Sequence, residues 1–214
     1  LRGLVGSEMC IRDSYWIDQT RYDLPGSWGE AEAIAVDGDD VYVAGWFNNG
    51  SCYWKNSQKI NLTVNRDSQA FAIGVHNNGD VYVGGYYTSN HHYWIPCFWK
   101  NGTSRTNLQS GEDGEVYDMV LMDGTTRYYA GNTTSLNNML GYPPRACYWK
   151  NTRRNQLPKG GNFNSGLYGT GALGITTDGS DIYVAGYADY IEDIGDSLNT
   201  GGRFPRYWKN NSIH

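Results

Sequence analysis

The chain has 214 residues, a formal net charge of −5, 18 Tyr, 8 Trp and 28 Gly, and 39% of it is hydrophobic. That length supports a sizeable core, the mild acidity without a basic patch argues against a nucleic-acid surface, and no run of about 18 apolar residues exists to span a membrane as a helix. Aromatics favour strands, Gly and Asn favour turns, and no window sustains a 3.6-residue apolar period, so the composition predicts an all-β protein with almost no helix.

In chain order, residues 1–14 share no pattern with the rest of the chain. The string from Gly6 to Asp13 looks like a translated sequencing-adapter remnant. This leader is expected to lie outside the fold, poorly packed, and to overwrite the place of any signal peptide. From residue 15 to 214 one stretch organises the chain. Tyr53-Trp54-Lys55-Asn56 returns as Phe98-Trp99-Lys100-Asn101, Tyr148-Trp149-Lys150-Asn151 and Tyr207-Trp208-Lys209-Asn210, with a degraded copy at Tyr15-Trp16-Ile17-Asp18. The spacings of 38, 45, 50 and 59 residues mark a repeat architecture, with approximate units 15–52, 53–97, 98–147 and 148–206 and a partial unit 207–214.

Each unit reads as four short strands. After the aromatic-Trp strand (C) comes a segment (D) ending in Leu24, Leu62, Leu108 or Leu157. Then comes an apolar strand (A), of which Ala33-Ile34-Ala35-Val36 is one copy, and a turn carrying Asp37-Gly38, Asn78-Gly79, Asp123-Gly124 or Asp178-Gly179. Asp-Gly and Asn-Gly are hairpin signals because their residues tolerate φ > 0. The return strand (B) centres on Tyr42, Tyr82, Tyr128 and Tyr183 and ends in Gly. Four antiparallel strands per unit, repeated, predict the blades of a β-propeller. Trp54, Trp99, Trp149 and Trp208 are expected to fill the space between blades with the strand-B tyrosines. The strand-B glycines and neighbouring alanines are expected to let sheets approach closely. Cys52, Cys97 and Cys147 precede the aromatic pair in three repeats and read as buried space-fillers, with Arg206 in the fourth.

These stretches, Ala33 to Trp46, Ala72 to Tyr86 and Gly174 to Tyr187, resemble repeat proteins of Bacteroidetes-like bacteria built on a Val-Tyr-Val-Ala-Gly … Tyr-Trp-Lys-Asn-Gly pattern. They are similar, more distantly, to bacterial propeller repeats. The third repeat departs, with Arg127 and Tyr129 where valines stand elsewhere. The resemblance implies a propeller exported to the periplasm or cell surface and carries no catalytic residues. The Tyr-Trp strand at both ends suggests about four blades of a larger ring of six to eight, with a closed four-bladed ring as the alternative.

Binding is expected on the face of the variable B–C loops, residues 46–52, 86–97, 132–147 and 187–206. In the second loop, His91, His92, Tyr93 and Trp94 offer sugar-stacking or metal-binding chemistry, although adjacent histidines in a strand point opposite ways. The third loop contributes Tyr142. In the fourth, Asp189, Glu192, Asp193 and Asp196 offer oxygens for Ca²⁺ without EF-hand spacing, or paired carboxylates for glycoside hydrolysis. No cofactor is implied. Gly169-Thr170-Gly171-Ala172-Leu173-Gly174 matches a dinucleotide fingerprint literally but leads into a strand, so it is not one. Three functions remain. The favoured one is a non-catalytic extracytoplasmic module recognising carbohydrate or protein. The others are a glycoside hydrolase or polysaccharide lyase using the acidic or His loop residues, and a purely structural segment of a surface protein.

Overall fold

The computed structural model describes residues 5–8, 11–25, 28–48, 50–62, 67–110, 113–122, 125–135, 143–159, 169–189, 192–193, 198–199 and 203–214, with only the backbone for 5–8, 11–12, 192–193 and 198–199. No helix occurs among them. The chain divides into two compact units, Leu1–Asn107 and Leu108–His214.

In the first unit, β1 (Val5–Glu8), β2 (Ile11–Ile17) and β3 (Thr20–Asp23) form a three-stranded sheet. The backbone of the leader thus pairs with the first Tyr-Trp strand, Val5 opposite Tyr15. Two four-stranded meanders follow. One runs β4 (Gly29–Asp37), β5 (Asp40–Phe47), β6 (Gly50–Lys55) and β7 (Gln58–Asn61). The next runs β8 (Ser68–Val75), β9 (Val81–Thr88), β10 (Trp94–Lys100) and β11 (Ser104–Asn107). In the second unit, β12 (Asp113–Leu121), β13 (Arg127–Thr134), β14 (Arg145–Lys150) and β15 (Arg153–Gln156) make one sheet. Another has β16 (Thr170–Thr177) and β17 (Ile182–Asp189) paired in order with β20 (Arg203–Lys209) and β21 (Ser212–Ile213). Between them in sequence lies a small pair, β18 (Glu192–Asp193) with β19 (Leu198–Asn199). The four four-stranded antiparallel sheets are consistent with propeller blades. Each takes strands A and B from one sequence unit and C and D from the next.

The cores lie between successive sheets. Tyr15, Leu24, Val43, Cys52 and Trp54 join the first sheet to the second, and Tyr42, Ala44, Leu62, Ile73, Val83 and Trp99 join the second to the third. In the other unit Ala130, Tyr148, Leu157, Ile175, Val184 and Trp208 do the same. The four repeat tryptophans are at most 2% exposed. Three of their indole N–H groups reach the connectors that follow strand D: Trp54 donates to the Pro25 carbonyl (3.4 Å), Trp149 to the Gln109 carbonyl (2.8 Å) and Trp208 to the Pro158 carbonyl (2.9 Å). A buried Trp thereby keeps its one donor satisfied. Cys52, Cys97 and Cys147 are buried and unbridged; burial pushes the Cys52 thiol up to about 12 and that of Cys97 well above its ordinary value.

The strand-B glycine has a different reason from the one expected. Every strand A carries a β-bulge, between Ala31 and Ala33, Ala70 and Ala72, Val116 and Asp118, and Ala172 and Gly174. The bulge swings a strand-A carbonyl towards strand B of the same sheet. A Cβ at Gly45, Gly85, Gly131 or Gly186 would sit on the carbonyl oxygen of Glu30, Gln69, Glu115 or Gly171 respectively. The glycine accommodates its own sheet's bulge. It is the neighbouring Ala44 and Ala130 that lie fully buried in the inter-sheet clusters.

The last two letters of the repeated stretch also have local causes. Asn56, Asn101, Asn151 and Asn210 have φ of 47°, 51°, 57° and 47°, the left-handed conformation that tight C–D turns demand. Each side-chain oxygen accepts the first N–H of strand B, from Val41, Val81, Arg127 and Ile182, at 2.8–3.0 Å. The amide of Asn56, Asn101 and Asn210 donates to Asp40, Asp80 and Asp181. Lys55, Lys100 and Lys209 pair with the same carboxylates at 2.6–2.7 Å and lie over Tyr42, Tyr82 and Tyr183. The third repeat has Thr126 in place of the Asp.

Candidate functional site

Much of what the sequence suggested as B–C loop is strand. β9 runs to Thr88 and β10 begins at Trp94, with Tyr86 opposite Pro96 and Tyr87 opposite Ile95. Only residues 89–93 form the turn. The Ser89 N–H donates to the Tyr93 carbonyl (2.7 Å), and the Ser89 hydroxyl accepts N–H groups of His91 (3.4 Å) and Tyr93 (3.1 Å). His91 and His92 are therefore turn residues, not strand neighbours, and both are exposed, His92 at φ 62°. His91 stacks on Tyr93 (centroids 6.3 Å apart), and no cluster of three metal-ligating side chains occurs among the described residues.

Trp94 has a different setting. It stacks on Tyr86 with ring centroids 5.1 Å apart, and the pair borders a recess of about 270 Å³ lined also by Trp46, Asp67, Ser68, Gln69 and Thr88. The scaffold fixes each wall. Trp46 and Tyr86 hold the same register, the strand-B residue after the bulge-facing glycine, opposite Glu30 and Gln69. Asp67, Ser68 and Gln69 enter strand A, where the Asp67 carbonyl accepts the Thr88 N–H (2.8 Å). Ser68 is 2% exposed, and its hydroxyl contacts the Ser51 hydroxyl (2.8 Å) and accepts the Ser51 N–H (2.9 Å), locking the recess floor to the preceding sheet. Trp46 is hydrogen-bonded to the Glu32 carboxylate, which occupies the bulge itself. Burial raises Glu32 above the usual carboxylate range and lifts Asp13 to about 6, in each case with help from the charge of Glu30.

Next in strand B, side chains alternate to the other sheet face. There the rings of Phe47 and Tyr87 are covered by Lys59 (3.7 Å) and Arg105 (3.6 Å). In the second unit the register of Trp46 and Tyr86 is taken by Asn132 and Tyr187. Tyr187 lies over strand A at Gly171, where a Cβ would strike its ring, and Arg203 lies over the ring at 3.6 Å. Asp189, expected to bind a ligand, is the brace of that arginine (2.9 Å). Asn132 donates to the Tyr117 hydroxyl (3.3 Å), and that hydroxyl donates to Glu115. Burial raises both Tyr117 and Glu115 above their ordinary values. Of the remaining expected residues, Tyr142 and Asp196 lie outside the described residues, and Glu192 and Asp193 contribute described backbone to β18.

The sequence pattern singled out Trp94 but not Trp46, Gln69 and Tyr86. The signal was available: the residue after each strand-B glycine is Trp46, Tyr86, Asn132 or Tyr187, a position that varies between repeats just after the recurring glycine.

No protein-family model matches the chain, and no curated protein matches it. Among solved structures the chain is similar to one named endo-1,4-beta-xylanase from Bacteroides thetaiotaomicron VPI-5482. The identity is 11% and the TM-score 0.52, over 99% of this chain and 95% of that one. At that identity the likeness speaks for the fold alone.

Proposed function

We propose that the chain is a non-catalytic, extracytoplasmic recognition module that binds carbohydrate in the recess bounded by Trp46, Tyr86 and Trp94. The observation that carries this reading is the pairing of exposed aromatic surface with clustered hydrogen-bonding groups. Trp94 is 46% exposed while stacked on Tyr86, and Asp67, Gln69 and Thr88 line the same recess. A pyranose has an apolar C–H face that stacks on an indole and an equatorial rim of hydroxyls that suits carboxylate, amide and hydroxyl partners. A few polar groups converging on an aromatic-walled recess is how small-ligand sites are built. The likeness to a xylanase-named structure makes β-1,4-linked pyranosides the first ligands to try. Glycan-array screening followed by calorimetry tests the reading. Binding that Trp94→Ala removes supports it, whereas a blank array with a protein captured in pull-down would move the chain to protein recognition.

A hydrolase reading rests on a separate observation, the carboxyls of Glu30 and Glu32 beside Trp46 with Asp13 close enough to feel their charge. Asp13 is lifted to about 6, so it holds its proton in mildly acidic solution, as the general acid of a glycoside hydrolase must. Release of reducing ends from xylan by the wild type, lost in Asp13→Asn and Glu32→Gln, would establish it. Binding without turnover leaves recognition.

A further inference from the structure

Eight tryptophans are present. Four are the buried strand-C residues, and Trp16 is the degraded copy of that position. The other three, Trp28, Trp46 and Trp94, all fall in the first unit, at the B–C and D–A end of the second and third sheets. Trp28 is 76% exposed, the most exposed large hydrophobic side chain among the described residues. It is nevertheless held: its carbonyl accepts the Asn48 N–H (2.9 Å), extending the β4–β5 ladder one step past Gly29 opposite Phe47. Strand alternation puts Trp28 and Glu30 on one face of β4, and Glu30 stands directly opposite Trp46. Trp28 and Trp46 are therefore diagonal cross-strand neighbours, a spacing that aromatic side chains bridge. Trp28 also occupies the strand-A position that Asp67 holds in the next sheet, where Asp67 lines the recess. A large indole left in water contributes little to folding, because its apolar area stays unburied.

We propose that the recess is one part of a longer strip, continuing from Trp94 and Tyr86 past Trp46 to Trp28, that takes an extended β-1,4-linked glycan chain rather than a single sugar. This rests on the reading of the recess as a glycan site. A linear, equatorially linked chain presents its flat apolar faces in succession, which a row of indoles matches. Glu30, between Trp28 and Trp46, meets its hydroxyl edge. The strip binds along the chain's length, so affinity rises with the number of sugar units until Trp28 is covered and then levels off.

The test is calorimetry on the full chain with cellobiose, cellohexaose, xylobiose and xylohexaose, comparing wild type with Trp28→Ala and Trp94→Ala. Stacking on one more indole is expected to strengthen hexasaccharide binding, and Trp28→Ala to weaken it roughly three- to tenfold while leaving the disaccharide unchanged. Trp94→Ala is expected to weaken both. Circular dichroism and an unchanged melting temperature confirm that Trp28→Ala folds. Equal affinity for the two lengths, or equal loss on both in Trp28→Ala, would overturn the extended strip while leaving the recess standing. No binding of any of the four by the wild type would overturn the recess and the strip together.

Discussion

At the scale of single residues, the repeat is set by packing and by backbone geometry. Trp99 is fully buried, and burying an aromatic of ~150–250 Å² stabilises by at most roughly 4–6 kcal/mol. Trp99→Ala is expected to cost about 3–5 kcal/mol in a denaturant titration; a loss below about 1 kcal/mol would mean that the cavity is not formed. Gly85→Ala drives a Cβ into the Gln69 carbonyl. It is expected to cost at least about 1–3 kcal/mol, the range for overpacking a site that cannot give way; a neutral outcome would remove the bulge as the reason for the glycine. Asn101→Gly keeps the left-handed turn and loses the bond from the Val81 N–H (2.8 Å), whereas Asn101→Ala loses both. The alanine variant is expected to fall about 1–2 kcal/mol below the glycine variant; equal stabilities would show that the turn does not depend on φ.

At the scale of elements, three of the four A–B hairpins are pinned to the adjacent C–D turn by one carboxylate. Lys100, Asn101 and Asn78 hold the Asp80 carboxyl down at about 2, and Lys55 and Lys209 with their asparagines lower Asp40 and Asp181. A depressed folded-state value means that the folded chain binds fewer protons than the unfolded one. That stability is present above the usual carboxylate value near 4 and is lost as pH falls towards 2. Asp13 has the opposite sign. Its folded value near 6 exceeds the unfolded one, so stability falls as pH rises from about 4 to 6 and then levels off. Thermal melts from pH 2 to 8 are expected to show both limbs, with Asp13→Asn flattening the upper one and Asp80→Asn reducing the lower one. An upper limb that persists in Asp13→Asn would mean that other groups carry it. The elements themselves were legible because Asp-Gly turns and Tyr-Trp pairs mark strand ends directly. The bulges were not, since a bulge adds one residue, as Glu32 does between Ala31 and Ala33, and only the pairing register reveals it. That is why the strand-B glycine was assigned to inter-sheet spacing. The length of β9 and β10 was missed as well: Tyr86 to Thr88 and Trp94 to Pro96 read as an irregular aromatic loop, and only pairing reveals them as ladder.

At the scale of the molecule, one scaffold position is used differently in the two units. Following the bulge-facing glycine, the first unit has Trp46 and Tyr86 beside a recess. The second has Asn132 hydrogen-bonded to Tyr117, and Tyr187 under Arg203. The sequence pointed to this end of the sheets, because that is where the repeats diverge. It favoured the long loops over the strand ends, because length is visible in one dimension and register is not. His92 and Asp189 drew attention for their chemistry; one is an exposed turn residue and the other braces Arg203. Arg203→Ala is accordingly expected to leave glycan affinity unchanged, checked by the same titration that reads the recess.

The most direct test is isothermal titration of the full chain with xylohexaose and cellohexaose, alongside Trp46→Ala and Trp94→Ala variants shown to be folded. Saturable binding by the wild type to at least one of them, with a loss of roughly tenfold or more in either variant, is the expected result. Unchanged affinity in both variants, or no binding of either glycan by the wild type, would contradict the assignment of this recess to carbohydrate.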